Sequence, residues 1–493
     1  MLAANRLTGC FRVIQRSYRY FSRLEKIRID TRLSSIVPME TPHQDMEILQ
    51  SDKATSLKLK MIEEIKEKGP MSIARFMHLC LADPQYGYYT TKDVIFNKGG
   101  DFTTSPEISQ MFGEIVAIWY VAAMQKYTNL KHCNFVEFGP GKATLMCDML
   151  RSFSQLNVLS NMTFNLIEIS ENLQEVQRDN IIKTLKNRGI YVSIDMETQN
   201  LYEDSLNIHF KWSENIDKIK EEEAKKLKEI SDNAKASFLS LRRAIKNENP
   251  YFIMAHEFFD AIPVYQFIYD EYRGWLERVV DIDKNKKNQL DIVESEKPTP
   301  NVKKLLQPEK TFNTQEMRDS LKTGDMIEIS PQSQNIMTDI AELISITKGA
   351  GLIIDYGEDQ ALTHSVRAIK KHKYLSEQEM LRQPGKADVS AYVNFRALRD
   401  ISERVPGCIA KEPMPQGAFL ESLGMGLRLQ ALAKGSQGRP NSKKIIKSLE
   451  DEYLRLVHPD QMGEIYKVLF IGNKHIGEIF PFNTSESVKD EYE

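Results

Sequence analysis

Residues 135–147, Phe-Val-Glu-Phe-Gly-Pro-Gly-Lys-Ala-Thr-Leu-Met-Cys, constrain the fold of this chain more than any other stretch. The apolar run 135–138 reads as a buried strand. Gly139 and Gly141 then permit a tight turn, and the residues after Ala143 can open a helix. A strand, a glycine turn and a helix N-terminus together make a cradle of the nucleotide-binding type. The expected fold class is therefore α/β.

The spacing narrows the choice of nucleotide. A dinucleotide fingerprint, G-x-G-x-x-G, needs a third glycine at position 144. Thr144 stands there, which disfavours a nicotinamide dehydrogenase. The pattern is instead E-x-G-x-G, with Glu137 two residues before the first glycine and the small Ala143 after the second. This form is typical of S-adenosylmethionine-dependent methyltransferases. The next candidate strand, 164–169, carries Glu168 about one helix-plus-strand unit downstream. A carboxylate at that place can accept from both ribose hydroxyls. Taken alone, Glu168 reads equally well as a solvated strand-end charge. The cofactor residues expected from this unit are Glu137, Gly139, Gly141 and Glu168.

The chain has 493 residues, which suggests about three domain-sized units. A hydrophobic content of 41% suffices for a large core. The net charge of −3 argues against a nucleic-acid protein held by a broad basic face. No apolar run is long enough to cross a bilayer. Five scattered cysteines fit a reducing compartment without a disulfide framework, and their spacing suggests no metal site. Cys147 reads as a small core residue. Residues 1–23 carry Arg6, Arg12, Arg16, Arg19 and Arg23, no Asp or Glu, and interleaved Leu2, Leu7, Phe11, Val13 and Ile14. Such a segment reads as a mitochondrial presequence.

Residues 24–50 read as a polar linker, and 51–130 as a helical N-terminal and lid region. Within the latter, Gly99 and Gly100 lead into a helix start in which Ser105 caps and Pro106 occupies the first turn. The helix is expected to continue through 108–120. The span 131–475 is the expected core. Further strands are expected at 208–212, 251–255, 326–329, 351–355 and 466–471, separated mostly by helices, giving a mostly parallel sheet. Residues 213–249 lack Gly and Pro and are dense in Lys and Glu. They read as a solvated helix or disordered insert outside the cofactor chemistry. Residues 282–325 read as a polar excursion, and 476–493 as a polar tail.

Several blocks, in order, resemble the MidA-like methyltransferases. They are Gly100-Asp101-Phe102-Thr103-Thr104-Ser105-Pro106-Glu107, Met111-Phe112-Gly113-Glu114, Val136-Glu137-Phe138-Gly139-Pro140-Gly141, His256-Glu257-Phe258-Phe259-Asp260-Ala261-Ile262-Pro263, Ile354-Asp355-Tyr356-Gly357, Pro384-Gly385-Lys386-Ala387-Asp388-Val389 and Gln461-Met462-Gly463-Glu464. The resemblance covers roughly residues 55–475. It implies a class I, Rossmann-like methyltransferase sheet with a helical N-terminal region and insertions. It also implies S-adenosyl-L-methionine as cofactor. Mitochondrial members are protein-arginine methyltransferases that act as complex I assembly factors. The implied partner is therefore a protein, a complex I core subunit, in the mitochondrial matrix. A non-catalytic assembly chaperone that keeps the fold is the alternative.

The strand 251–255 leads Glu257 and Asp260 to the carboxyl end of the sheet, where α/β ligands bind. Without the resemblance, a helix-start carboxylate is the plainer reading of both. With it, Glu257 is expected to hold the substrate guanidinium and Asp260 to assist. Asp101 and Ser105 are expected in a lid over the cofactor. His256 reads as a structural histidine. Asp355 and Tyr356 either line the same face or form a strand-end turn. The family commonly has Gly-Pro-Gly-Arg-Gly-Thr where this chain has Lys142 and Ala143. Alanine at 143 is tolerated if its φ is negative and strained if φ is positive.

Overall fold

The strand Cys133–Phe138 is buried along its whole length and lies at the centre of the main sheet. In this computed structural model the described residues are 55–91, 103–127, 130–234, 249–286 and 288–483. The expected presequence, the linker 24–50 and Asp101 lie outside them.

Met162–Ile167 and Ile208–Ser213 follow on one side of the central strand; Tyr251–His256 and Ala350–Glu358 lie on the other. All these neighbours run parallel. Alternating helices make the crossovers. The chain thus builds outward from the centre in one direction, then returns to build in the other. This leaves a topological switch point between Cys133–Phe138 and Tyr251–His256, the place where α/β ligands bind. Tyr466–Asn473 follows antiparallel to Ala350–Glu358, and Cys408–Ala410 pairs outside it.

Aromatic side chains hold the register. Phe252, Phe135, Phe164 and Phe210 are direct partners across four adjacent strands. Their rings lie 5.3, 5.4 and 4.9 Å apart in sequence across the sheet. A one-residue slip would turn every one of these rings to the opposite face. The helix Gln110–Met124 covers that face with Trp119 and Tyr120, both fully buried.

The expected strands form, most with extended ends, though that expected at 164–169 runs Met162–Ile167 and leaves Glu168 beyond it, and one strand joins a different sheet. Met326–Ile329 pairs antiparallel with Tyr265–Asp270. Those strands, with Gly274–Ile282, Leu290–Glu294 and Met71–Ser72, make a smaller antiparallel sheet. A short apolar run does not say which sheet it joins: the central strands of the main sheet are buried on both faces, whereas Met326–Ile329 is only partly buried. The helices Ser56–Lys68 and Ile73–Ala82 pack on this smaller sheet through Met61, Phe76, Met77 and Val280. The 282–325 excursion is accordingly structured rather than a loop: it supplies Leu290–Glu294 and short helical turns. The polar tail begins later than expected. Ile479 and Phe482 are buried, and Phe482 stacks on Phe470 at 5.4 Å.

The expected continuous helix through 108–120 is broken. A short turn, Ser105–Ile108, ends at Ser109, whose φ of −154° and ψ of 135° are extended, and Gln110–Met124 restarts there. Thr104, not Ser105, is the cap residue, and the Glu107 carboxylate accepts its N–H at 3.4 Å. Ser105 is released for another partner.

Candidate active site

A cleft of about 530 Å³ opens at the carboxyl ends of the central strands, over the switch point. Its floor is the glycine loop. Gly139 and Gly141 both take left-handed φ, 58° and 54°. A Cβ on Gly139 would lie 2.9 Å from Phe258 Cδ2. Ala143 also has a positive φ, 59°, and caps the helix Thr144–Gln155. The strained alternative for this position is therefore the one that forms. Two side chains of the helix Glu171–Lys186 pin the loop: Gln177 donates to Gly141 O at 2.8 Å, and Asn180 donates to Lys142 O at 2.9 Å.

Glu137 lines the cleft from within the central strand. It is 3% exposed, and its Oε2 has no hydrogen-bond partner. Burial pushes its pKa up to about 8. A buried carboxylate oxygen without a donor, beside a loop that a Cβ would obstruct, is what a cationic, donor-rich ligand would complete. The residues present thus fit S-adenosylmethionine, whose sulfonium and ammonium groups are positive.

Glu168 also lines the cleft, one residue past its strand. It is buried rather than solvated. Its Oε1 accepts from Ser170 N–H at 2.9 Å and its Oε2 from Gln177 at 3.1 Å. Burial raises its pKa to about 7. Each oxygen keeps a further lone pair toward the cleft. Gln177 is a hub that sequence reasoning missed: its Oε1 also accepts the Trp212 indole N–H at 2.8 Å. Gln177→Leu would leave Gly141 O, Trp212 N–H and part of Glu168 unpartnered. We expect a loss of about 2 kcal/mol in stability, with weaker cofactor affinity, from thermal unfolding and calorimetric titration. An unchanged melting temperature would count against the hub.

Glu257 faces the glycine loop across the switch point. Its backbone is strained at φ 48°. Its side chain is 10% exposed. Ser105 holds it by N–H and Oγ, at 3.1 and 3.4 Å from Oε1. Burial first, and the Asp260 carboxylate second, raise its pKa to about 8. His256 Nε2 lies 3.3 Å from Oε1, but no hydrogen bond forms. Burial holds the imidazole neutral, with a pKa lowered to about 3. A non-glycine residue kept at positive φ beside a ligand cleft is typical of functional positions.

Asp260 points elsewhere. It does not line the cleft; its Oδ2 accepts the Tyr356 hydroxyl at 2.5 Å, inside a cluster where Arg367 stacks over Tyr356 at 4.2 Å and Tyr392 at 4.6 Å. Tyr356 accompanies it there. Asp355 neither lines the cleft nor sits in a strand-end turn: it lies within the strand Ala350–Glu358, and its Oδ2 accepts the N–H groups of Phe258, Phe259 and Asp260 at 3.1, 3.0 and 3.2 Å. That bracket holds the segment carrying Glu257 in place.

The insert is not wholly remote. Glu214, Asn215, Ile216 and Asp217, at its start, line the cleft. The helix Asp217–Ala234 is then moored by Lys220 to Asp339 and Glu342, at 2.5 and 2.7 Å. Chain direction explains this: the segment leaves the carboxyl end of Ile208–Ser213, which is a cleft edge. Replacing residues 224–248 by a short Gly/Ser linker should leave cofactor binding unchanged, because loop length costs little entropy. Lost binding in a folded variant would show that the remainder supports the site.

Three carboxyls with raised pKa values give a signed pH dependence. A folded-state pKa above the unfolded one means that the folded protein binds more protons between the two values. Stability then falls as pH rises through that window. For Glu137 the window runs from the ordinary carboxylate range to about 8. Ligand-free Glu137→Gln should therefore gain in melting temperature relative to the unsubstituted protein as pH rises from 5 to 8. Parallel curves would reject a protonated Glu137.

The chain matches, over residues 115–414, the family described as S-adenosyl-L-methionine-dependent methyltransferase. It is 31% identical over 411 residues to the mitochondrial protein arginine methyltransferase NDUFAF7 of Homo sapiens, covering 82% of this chain and 80% of that one. It is 30% identical to the NDUFAF7 homolog of Drosophila melanogaster, covering 87% and 88%. A Burkholderia thailandensis crystal structure bound to S-adenosyl-homocysteine shares the fold, with TM-score 0.63 and 18% identity over 90% of this chain and 97% of that one.

Proposed function

We propose an activity for this chain, which belongs to the S-adenosyl-L-methionine-dependent methyltransferase family: it methylates an arginine of a protein substrate in mitochondria. The observation that carries the reading is the carboxyl-rich lining of the cleft, whose buried members a cationic ligand would draw into their ionised form. Glu137, Glu168, Glu257, Glu214, Asp217 and Glu107 line it, and among the described residues Lys142, paired with Glu107 at 3.2 Å, is the one lysine or arginine of the lining. Such a wall suits a cationic donor and a cationic acceptor together.

S-adenosylmethionine, when bound, supplies an activated methyl group on its sulfonium. Gly139, Gly141, Glu137 and Glu168 would hold it. Glu257, opposite the loop, would orient the guanidinium and balance its charge; the guanidinium is a planar donor fork suited to a carboxylate. Ser105 and the Asp355 bracket hold Glu257 rigid, so orientation costs little at the moment of transfer. Asp260 acts at most through the segment it shares with Glu257. Asp101 and Ser105 belong to the proposed lid, Ser105 through its grip on Glu257.

The target we propose is a core subunit of complex I, and the compartment the matrix, reached through the basic segment 1–23. The test is mass spectrometry of complex I subunits from cells with and without the protein. Loss of one arginine methylation in depleted cells is expected. An unchanged methylation map, with assembly impaired, would identify a binding protein that keeps the fold. Import of a reporter fused to residues 1–40 checks the compartment, and cytosolic fluorescence would reject it.

A further inference from the structure

We propose that the helical hairpin Met425–Ser436 and Ser442–Val457 docks an acidic segment of the protein acceptor. This rests on the reading of the cleft as a protein-methylating site. Residues 422–449, which include the hairpin tip, contain Arg428, Lys434, Arg439, Lys443, Lys444 and Lys447 and no Asp or Glu, in a chain whose net charge is −3; the acidic residues of the hairpin, Glu450, Asp451 and Glu452, follow further along its second helix. The tip segment is thus of one sign, where an exposed stretch that serves solubility alone ordinarily mixes both.

Two of the six cations are used internally. Arg428 forks onto Glu114 at 2.7 and 2.9 Å and ties the hairpin root to the helix Gln110–Met124. Lys447 pairs with Asp451 at 2.8 Å. Lys434, Arg439, Lys443 and Lys444 are exposed, and no acidic group lies within ion-pair distance of them among the described residues. They cluster at the hairpin tip, a one-sign patch without a structural use.

The location links this patch to the cleft. The helix Ser442–Val457 packs against the Ser105–Ile108 turn, whose Ser105 holds Glu257. The hairpin root therefore borders the cleft mouth. A carboxyl-lined cleft and a positive hairpin tip on one side of it match a segment with the opposite order: a cationic target residue and an acidic flank. The helix Met425–Ser436 spans about 18 Å from root to tip. An extended chain covers that in about five or six residues, so the acidic flank begins about that far from the target.

A lipid surface fits less well. The apolar side chains Leu429, Leu432, Leu449 and Tyr453 pack inward against the main core. Leu454 is the only large apolar residue of the hairpin that is exposed, at 38%. Membrane-lying helices instead present an apolar face outward beside their cations.

The test uses the full chain and labelled peptides. One peptide carries a central arginine in a Gly/Ser context with six glutamates beginning six residues away; the second has glutamine in place of each glutamate. Anisotropy titrations at low salt should show about tenfold tighter binding of the acidic peptide. The quadruple variant Lys434→Gln, Arg439→Gln, Lys443→Gln, Lys444→Gln should lose that preference, with its S-adenosylmethionine affinity and melting temperature unchanged. Equal binding of the two peptides by the unsubstituted protein overturns the proposal. So does a preference that survives in the quadruple variant. Vesicles with 30% phosphatidylglycerol that bind only when the four cations are present, without any peptide preference, would assign the patch to lipid instead. Absence of methyl transfer to a peptide that still binds through its acidic flank would reject the arginine reading and leave the docking surface standing.

Discussion

Gly139→Val should weaken S-adenosylmethionine binding by roughly a hundredfold in a protein that still folds. Gly139 holds φ at 58°, which costs an L-residue roughly 1–2 kcal/mol and a β-branched one more. Its new Cβ would also lie 2.9 Å from Phe258 Cδ2. Phe258 cannot retreat freely, because its N–H is held by Asp355 and its ring packs on Phe138 and Phe259 at 5.3 and 5.4 Å. Displacing the loop by this amount should cost the cofactor about 3 kcal/mol, roughly a hundredfold in affinity. Calorimetric titration reads the loss, and circular dichroism with thermal unfolding reports whether the fold persists. Unchanged affinity would remove the glycine loop from the cofactor site.

The second large effect is expected at Glu257. Glu257→Gln keeps the size of the side chain and an oxygen to accept from Ser105 N–H. Fold and cofactor affinity should therefore persist. The negative charge opposite the glycine loop is lost, and with it the counter-charge for a guanidinium in a water-poor cleft. The rate of transfer should fall by about 10²–10³. Its burial-raised pKa of about 8 adds a second readout. In the unsubstituted protein, acceptor binding that needs the ionised carboxylate should strengthen as pH rises toward 8, and this slope should vanish in Glu257→Gln. Rescue of complex I assembly in depleted cells separates the readings. Full rescue with full methylation would remove Glu257 from the mechanism. Full rescue without methylation would make the protein a binding factor whose site residues are incidental.

The strand–turn–helix unit and its cofactor class were legible because they are local. The apolar run at 135–138, the two glycines and Glu137 each act through backbone conformation or position within ten residues, and that information lies in the sequence itself. The resemblance of widely spaced blocks supplied the fold class and the reaction class. The burial of Glu168 was not legible, since a strand-end carboxylate looks the same whether solvent or Gln177 meets it. Nor was the sign of φ at Ala143, which the surrounding loop imposes.

Contacts between distant segments decided the rest. Ser105 looked like a cap, and its role became visible only where folding brings it to Glu257, 152 residues away. Asp260 and Glu257 are three positions apart, yet one faces the cleft and the other is drawn to Tyr356, 96 residues on. The short turn Phe259–Ala261, held by Asp355, rotates the two carboxylates to different sides. Sequence determined which chemical groups the chain carries and the local turns that present them. Tertiary structure alone decided which of those groups share a cleft, because a hydrogen bond or a buried charge depends on neighbours that no linear spacing specifies.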